Sequence, residues 1–262
     1  DLTELMAREA GLTVDNAGFD TLMEQQRDRA RAAQKKEIIS VSSLSSGATT
    51  EFVGFERLSA TATVTEVVEE KKRTGIVLDR SPFYAEMGGQ VGDTGTLSIG
   101  GKTWAVTGTQ KAGDAFLHFI KGDGVPEVGG EAELAVDAAR RAAIQRHHTV
   151  THLFHWALHE VTSPDASQKG SYVGPDKLTF DFNSPALTPQ QLADIEQLVN
   201  ERIVDNAVVS WAEAPYSEVS GNDGILQFFG DKYGDTVRVV QIGGEANALN
   251  GYSMELCGGT HA

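Results

Sequence analysis

The sequence predicts an α+β protein in three parts: an N-terminal helical segment over residues 1–45, a small antiparallel β-barrel over 46–136, and an α+β region over 137–262. Three observations carry this. Apolar residues recur at helical spacing before residue 40, alternate at period two from about 60 to 136, and return to a capped helical period after Asp137. A chain of 262 residues is long enough for more than one core.

The elements follow in order. Leu2, Leu5 and Met6 precede a break at Gly11–Val14. Asp15 can then cap a helix whose stripe is Phe19, Leu22, Met23, Gln26, Ala30 and Ala33. Arg27, Arg29, Arg31, Lys35 and Lys36 cluster near its C-terminal end, where they complement the helix dipole. The Ser-rich run over 40–50 reads as a linker. Strands follow at 61–68, 74–79, 94–99, 102–107 and 116–121, separated by charged or Gly/Asp-rich turns. Several short strands at this spacing suggest a barrel ending near Val136. Asp137 caps a helix that runs to about Val161, with Ala142, Ile144, Val150, Leu153, Trp156 and Ala157 on its apolar side. Leu178, Phe180 and Phe182 alternate as a strand. Thr188-Pro189-Gln190-Gln191 opens a further helix with a capping box. Residues 207–213, 236–242 and 253–256 read as strands, giving a sheet with helices on one face.

Composition excludes some classes. No run of about 18 apolar residues is present, so no membrane partner is expected. The first residues lack the basic and apolar regions of a signal peptide. One cysteine rules out an internal disulfide framework and fits a reducing, cytoplasmic compartment. A formal net charge of −15 requires any nucleic-acid contact to use local basic patches, and DNA is not expected as a partner.

Two stretches suggest a metal site. Residues 146–159 hold five of the seven histidines, and Cys257-Gly258-Gly259-Thr260-His261 contains the only cysteine and one more histidine. On a helix, residues four apart share a face. His148/His152 and His155/His159 both qualify, so spacing alone does not choose the pair. Two imidazoles plus a Cys and a His from the distant segment would give three nitrogens and one sulfur, a tetrahedral set that suits zinc. The peptidase arrangement is excluded, because Thr149 follows His148 where that motif needs Glu. His147 and His159 read as surface residues. Four glycines within 88–95 allow close backbone approach, and a glycine-rich β-turn explains them equally well.

His148-Thr149-Val150-Thr151-His152-Leu153, Ser167-Gln168-Lys169-Gly170-Ser171 and Cys257-Gly258-Gly259-Thr260-His261 together resemble the editing domain of alanyl-tRNA synthetases. The likeness extends to Phe83-Tyr84-Ala85-Glu86, Gly88-Gly89-Gln90-Val91-Gly92-Asp93-Thr94-Gly95, Leu178–Phe182 and Gly234–Val240. Residues 14–27 resemble the helical segment before that domain, so coverage is nearly the whole chain. The resemblance implies hydrolysis of mischarged Ser-tRNA(Ala) and Gly-tRNA(Ala), with tRNA(Ala) as partner. It implies one Zn2+ ion on His148, His152, Cys257 and His261, with Thr151 and Gln168 as catalytic pocket residues and His155 in support. Gly88, Gly89, Gln90, Arg146 and Lys169 would contact substrate or tRNA, and Lys71, Lys72, Arg73, Arg140 and Arg141 are further phosphate candidates. The sequence departs from the family at Met87, where a small residue is usual, and at Ser163-Pro164-Asp165-Ala166, which lacks a Gly-x-His-Val run. No aminoacylation core is recognisable, so ATP and Mg2+ would belong to a ligase domain outside this sequence. A free-standing editing deacylase and a non-catalytic tRNA-binding module with structural zinc are the alternatives.

Overall fold

A computed structural model describes residues 2–33, 47–70, 73–227 and 233–262. The expected linker over 40–50 falls largely outside the described residues, as do Lys35, Lys36, Lys71 and Lys72. The chain divides into two compact units, Asp1–Ser40 and Val41–Ala262.

The first unit holds α1 (Leu2–Glu9) and α2 (Asn16–Ala33). Asp15 caps α2 as expected, accepting from Gly18 N at 2.8 Å. Phe19 and Leu22 on its apolar stripe are exposed.

In the second unit, β1 (Glu51–Phe52) leads to β2 (Ser59–Glu70), β3 (Arg73–Leu78), β4 (Arg80–Ser81), β5 (Gly95–Ile99), β6 (Lys102–Ala112), β7 (Ala115–Lys121) and β8 (Glu131–Val136). Six of these close a barrel in the order β2-β3-β7-β6-β5-β8, antiparallel throughout. Period-two alternation sends Ala132, Leu134 and Val136 of β8 inward, where they meet Val64, Ile76, Leu97 and Trp104. The alternation fails in β7, whose residues 115–120 are all buried. Strands β1 and β4 pair in parallel outside the barrel order, and Ser81 of β4 bonds the buried ring of His118.

After the barrel, α3 (Ala138–Val161) starts at Asp137, whose carboxylate accepts from Arg140 N at 3.0 Å. The antiparallel pair β9 (Gln168–Val173) and β10 (Leu178–Phe182) follows. Then come α4 (Pro189–Asp205), β11 (Val209–Pro215), the short α5 (Tyr216–Val219), β12 (Thr236–Ile242) and β13 (Ser253–Leu256). The capping box at Thr188 and Gln191 is formed in both directions. Leu153, Ala157 and Leu158 of α3 pack with Ile195 and Val199 of α4 against Ile242 of β12. Burying each of the leucine, isoleucine and valine side chains among them contributes roughly 1.5–3 kcal/mol.

The expected single sheet is two sheets, β9-β10 and β11-β12-β13. Strand β9 escapes sequence reading because Gln168-Lys169-Gly170-Ser171 lacks β-branched residues. Tertiary pairing makes it a strand: β10 takes one edge, and the glycine-rich loop bonds to its end through Val91 N to Val173 O and Val173 N to Gly89 O.

Two arginine-centred clusters, one buried and one half-buried, tie the parts of this unit together. Arg141 of α3 is 1% exposed and donates to Gly54 O, Pro82 O and Asp93 Oδ2 of the barrel region. It is therefore unavailable as the phosphate contact its position on a basic helix start suggests. Arg238 of β12 lies over the rings of Phe55 and Trp211 and donates to the carbonyls of Cys257 and Gly259.

Candidate metal centre and cleft

Helix α3 supplies two rings one turn apart. His148 and His152 stack nearly parallel, with centroids 5.4 Å apart and planes 3° apart. The chain leaving β13 turns through Cys257-Gly258-Gly259 beside them, held by Arg238. Donor atoms of His148, His152, Cys257 and His261 all lie within 4.8 Å of one another, an arrangement that can hold a metal ion. Cys257 Sγ is 3.4 Å from His148 Nε2 and 3.3 Å from His261 Nε2. Gly259 makes this approach possible, because a Cβ there would collide with the His148 ring.

It is His148 and His152, not His155 and His159, that lie with Cys257 and His261. His155 Nδ1 lies 3.0 Å from Glu255 Oε1, and His159 Nε2 lies 2.6 Å from the Ala166 carbonyl. His147 Nδ1 is 2.7 Å from the Gly174 carbonyl. His147 and His159 are thus half-buried and hydrogen-bonded rather than surface residues.

The electrostatics favour anionic sulfur. Burial opposes ionisation of Cys257, but its close contacts with the imidazoles of His148 and His261 outweigh it and hold the thiol well below its ordinary range. Burial pushes His261 down to about 3, which keeps its ring neutral and able to donate a lone pair. Burial also resists charge on His152, yet the Glu255 carboxylate overcomes it and raises the ring to about 10. His152 Nδ1 lies 2.6 Å from Glu255 Oε2 in an alignment poor for a hydrogen bond, and His152 Nε2 is buried without a partner among the described residues. An orphaned buried nitrogen beside a thiol is what a ligand position without its ion presents.

The cluster opens onto a cleft of about 730 Å³ whose walls include Gly88, Gly89, Thr151, Gln168, Ser171 and Arg238. Met87 also lines it, so the departure at that position alters the cleft wall. Thr151 Oγ1 donates to the His147 carbonyl at 2.9 Å, and Gln168 Nε2 donates to Ser171 Oγ at 3.0 Å. Thr151 therefore makes the backbone bond of an ordinary helical threonine and still lines the cleft. Gly88 and Gly89 are exposed at the rim with φ of 58° and 81°. Gln90 is fully buried, so it is closed to any outside contact. Arg146 and Lys169 are exposed.

A family model described as tRNA synthetases class II (A) matches residues 1–140. The chain belongs to that family. Among its relatives, the alanine–tRNA ligase of Akkermansia muciniphila is 50% identical over 263 residues, covering 100% of this chain and 28% of its own length. The alanine–tRNA ligases of Methylacidiphilum infernorum and Opitutus terrae are 45% and 43% identical, again over 100% of this chain and 27% and 28% of theirs. This synthetase chain thus spans between a quarter and a third of the relatives it matches. The family match covers the helical segment and the barrel, and the similarity to the ligases extends through the His/Cys cluster. Among the described residues of this synthetase chain, no helix is long and apolar enough to cross a membrane.

Glu255, Arg238 and Thr260 are parts of the site that sequence reading did not single out. One signal was available for Glu255: an acid in a short apolar strand, Ser253-Met254-Glu255-Leu256, directly before the lone cysteine.

Proposed function

We propose that this chain is an editing part of alanyl-tRNA synthetase, which hydrolyses the ester of mischarged Ser-tRNA(Ala) and Gly-tRNA(Ala) in the cytoplasm. On this reading residues 1–45 end an upstream recognition region, 46–136 form the barrel, and 137–262 form the editing domain. The observation that carries it is the convergence of His148, His152, Cys257 and His261 beside a cleft lined by Thr151 and Gln168. The ion we assign is zinc. Metal–sulfur and metal–nitrogen bonds of about 2.3 and about 2.0–2.1 Å at tetrahedral angles put sulfur and nitrogen about 3.5 Å apart. The Cys257 separations of 3.4 and 3.3 Å match that value.

When bound, zinc supplies a positive charge that can polarise a carbonyl and lower the pKa of a nearby water. Four protein donors would close a tetrahedral shell, so we read its main role as holding the cleft in shape. An aminoacyl ester is already activated, and the chain's own task is placement. Gln168 commits its Nε2 to Ser171, which leaves Oε1 to orient a water toward the ester carbon. Attack breaks the acyl–ribose bond, with one water proton going to the ribose oxygen and the hydroxide retained by serine's carboxyl group. Thr151 has spent its only proton on the His147 carbonyl. Toward a substrate it can therefore only accept, and a serine hydroxyl can donate where alanine has nothing to offer.

Exposed Arg146 and Lys169 are assigned to the tRNA backbone. Arg73, Lys121 and Arg140 line a second groove on the barrel together with Glu86, and we assign its cations to the tRNA backbone as well.

Incubation of the protein with Ser-tRNA(Ala) and Ala-tRNA(Ala), as isolated and after metal removal, tests the reading. Loss of the seryl ester at a rate far above that of the alanyl ester, abolished in Cys257→Ala together with its zinc, is expected. Binding of tRNA with no ester cleavage would replace this reading with a non-catalytic tRNA-binding module.

A further inference from the structure

Both histidines that α3 offers to the cluster are gripped at the far side of the ring by buried groups from other elements. Gln90 comes from the glycine-rich loop of the barrel. Its Oε1 lies 2.7 Å from His148 Nδ1 and accepts from Thr260 N at 3.0 Å, while its Nε2 donates to Thr260 Oγ1 at 2.9 Å. A backbone N–H can only donate, so the Gln90 atom facing it and His148 must be oxygen. His148 Nδ1 then carries the ring proton, and Nε2 keeps its lone pair toward Cys257 Sγ, 3.4 Å away. Glu255, 2% exposed, stands behind His152 as a close charge partner rather than an aligned hydrogen-bond acceptor. Its Oε2 is 2.6 Å from Nδ1, and the opposite Nε2 is buried with no partner among the described residues. The other carboxylate oxygen is steadied by His155 Nδ1 at 3.0 Å.

We propose that Gln90 and Glu255 are positioning residues: they set the tautomer and rotation of His148 and His152 so that both rings present Nε2 to one cation. The inference rests on the metal reading above. It gives the glycine-rich loop a second role, since the barrel reaches into the donor set through Gln90 and latches the Cys257–His261 turn through Thr260. Groups bonded behind metal-bound imidazoles orient the rings and raise their basicity, and their loss typically costs about 10–100-fold in metal affinity.

The test measures Zn2+ affinity by competition with a chromophoric chelator, and the visible absorption of the Co2+-substituted protein, whose bands report donor geometry. Gln90→Met keeps volume and loses the acceptor; Gln90→Glu keeps an acceptor oxygen; Glu255→Gln removes the charge. Affinity about 10–100-fold weaker is expected for Q90M and E255Q, with an altered Co2+ spectrum, and recovery is expected in Q90E. If Q90M does not fold, E255Q against wild type, and Q90E retaining affinity, carry the same comparison. Wild-type protein that binds no metal ion would overturn the metal reading and this inference with it. Wild type that binds while Q90M and E255Q bind equally well with the same spectrum, or Q90E that loses as much as Q90M, would overturn this inference alone.

Discussion

Removing the Arg141 guanidinium should be among the most damaging single changes outside the metal cluster. Arg141 and Asp93 are each 1% exposed. The guanidinium pairs with Asp93 through two nitrogens and holds the Gly54 and Pro82 carbonyls at 2.7 and 2.8 Å. Asp93 Oδ2 in turn accepts from Tyr84 N at 2.7 Å. Arg141→Met keeps most of the volume and apolar stem but leaves a buried carboxylate with that single amide and two carbonyls without partners. Breaking a buried pair from one side typically costs about 3–5 kcal/mol, because the remaining charge is uncompensated. Urea unfolding followed by circular dichroism measures it. With a slope of about 3 kcal/mol/M, the midpoint should fall by roughly 1–1.7 M. Asp93→Asn on top of R141M removes the stranded charge, so the double variant should lose less than the sum of the two single losses. A cost for R141M below about 1 kcal/mol, or strict additivity in the cycle, would refute the claim that this pair joins α3 to the barrel region.

Three further outcomes follow. His118 is buried, accepts from Ser81 Oγ at 2.7 Å and gives Nδ1–H to the Ile76 carbonyl at 3.0 Å, and burial holds its ring down to about 4. The unfolded chain takes up that proton near pH 6.5. Stability is therefore full above about 6.5 and falls toward pH 4 by on the order of 3 kcal/mol; unfolding of wild type and His118→Gln at pH 7.5 and 5 should diverge, and parallel losses would contradict it. Gly259→Ala would drive a Cβ into the His148 ring and against Gln90 Oε1; we expect metal affinity to drop by at least about tenfold, a 1.4 kcal/mol effect, read by zinc titration, and unchanged affinity would deny the close approach. Thr151→Val removes the acceptor assigned to the serine hydroxyl; discrimination between seryl and alanyl esters should shrink by about 1–3 kcal/mol, or 10–200-fold, and equal discrimination would return Thr151 to a purely helical role.

Much of the fold was legible because its elements announce themselves locally. The Asp137 and Thr188 caps fix two helix starts, and period-two runs fix the barrel strands. Where pairing depends on distant partners, local signals fail. Strand β9 has weak β propensity and exists because β10 and the loop at Gly89–Val91 flank it. Strand β7 is buried along both faces, with His118 held by Ser81 and Phe83 on the side it shares with Ile120, which local alternation does not reveal. Arg141 looks like one more basic residue on a charged helix start, and only the tertiary structure turns it inward.

The site divides along the same line. Ligand types and their four-residue spacing are properties of the sequence, yet they leave His148/His152 and His155/His159 both open, and only the family resemblance names His148, His152, Cys257 and His261 as a set. Ring orientation is not, because an imidazole offers either nitrogen and the choice belongs to whatever lies behind it. Gln90 illustrates the difference. A glycine-rich loop ending in a polar residue suggests contact with an outside ligand, yet its carboxamide is fully buried between His148 and Thr260. Gly88 and Gly89 form the exposed rim, and the next residue points inward to the histidine. A substrate pressing on that rim would therefore act on a loop that also holds one ligand of the metal set. On the proposed metal and editing reading, the rim and the ion are coupled through a single side chain, and changes at Gly88 or Gly89 are expected to show in metal affinity as well as in substrate binding.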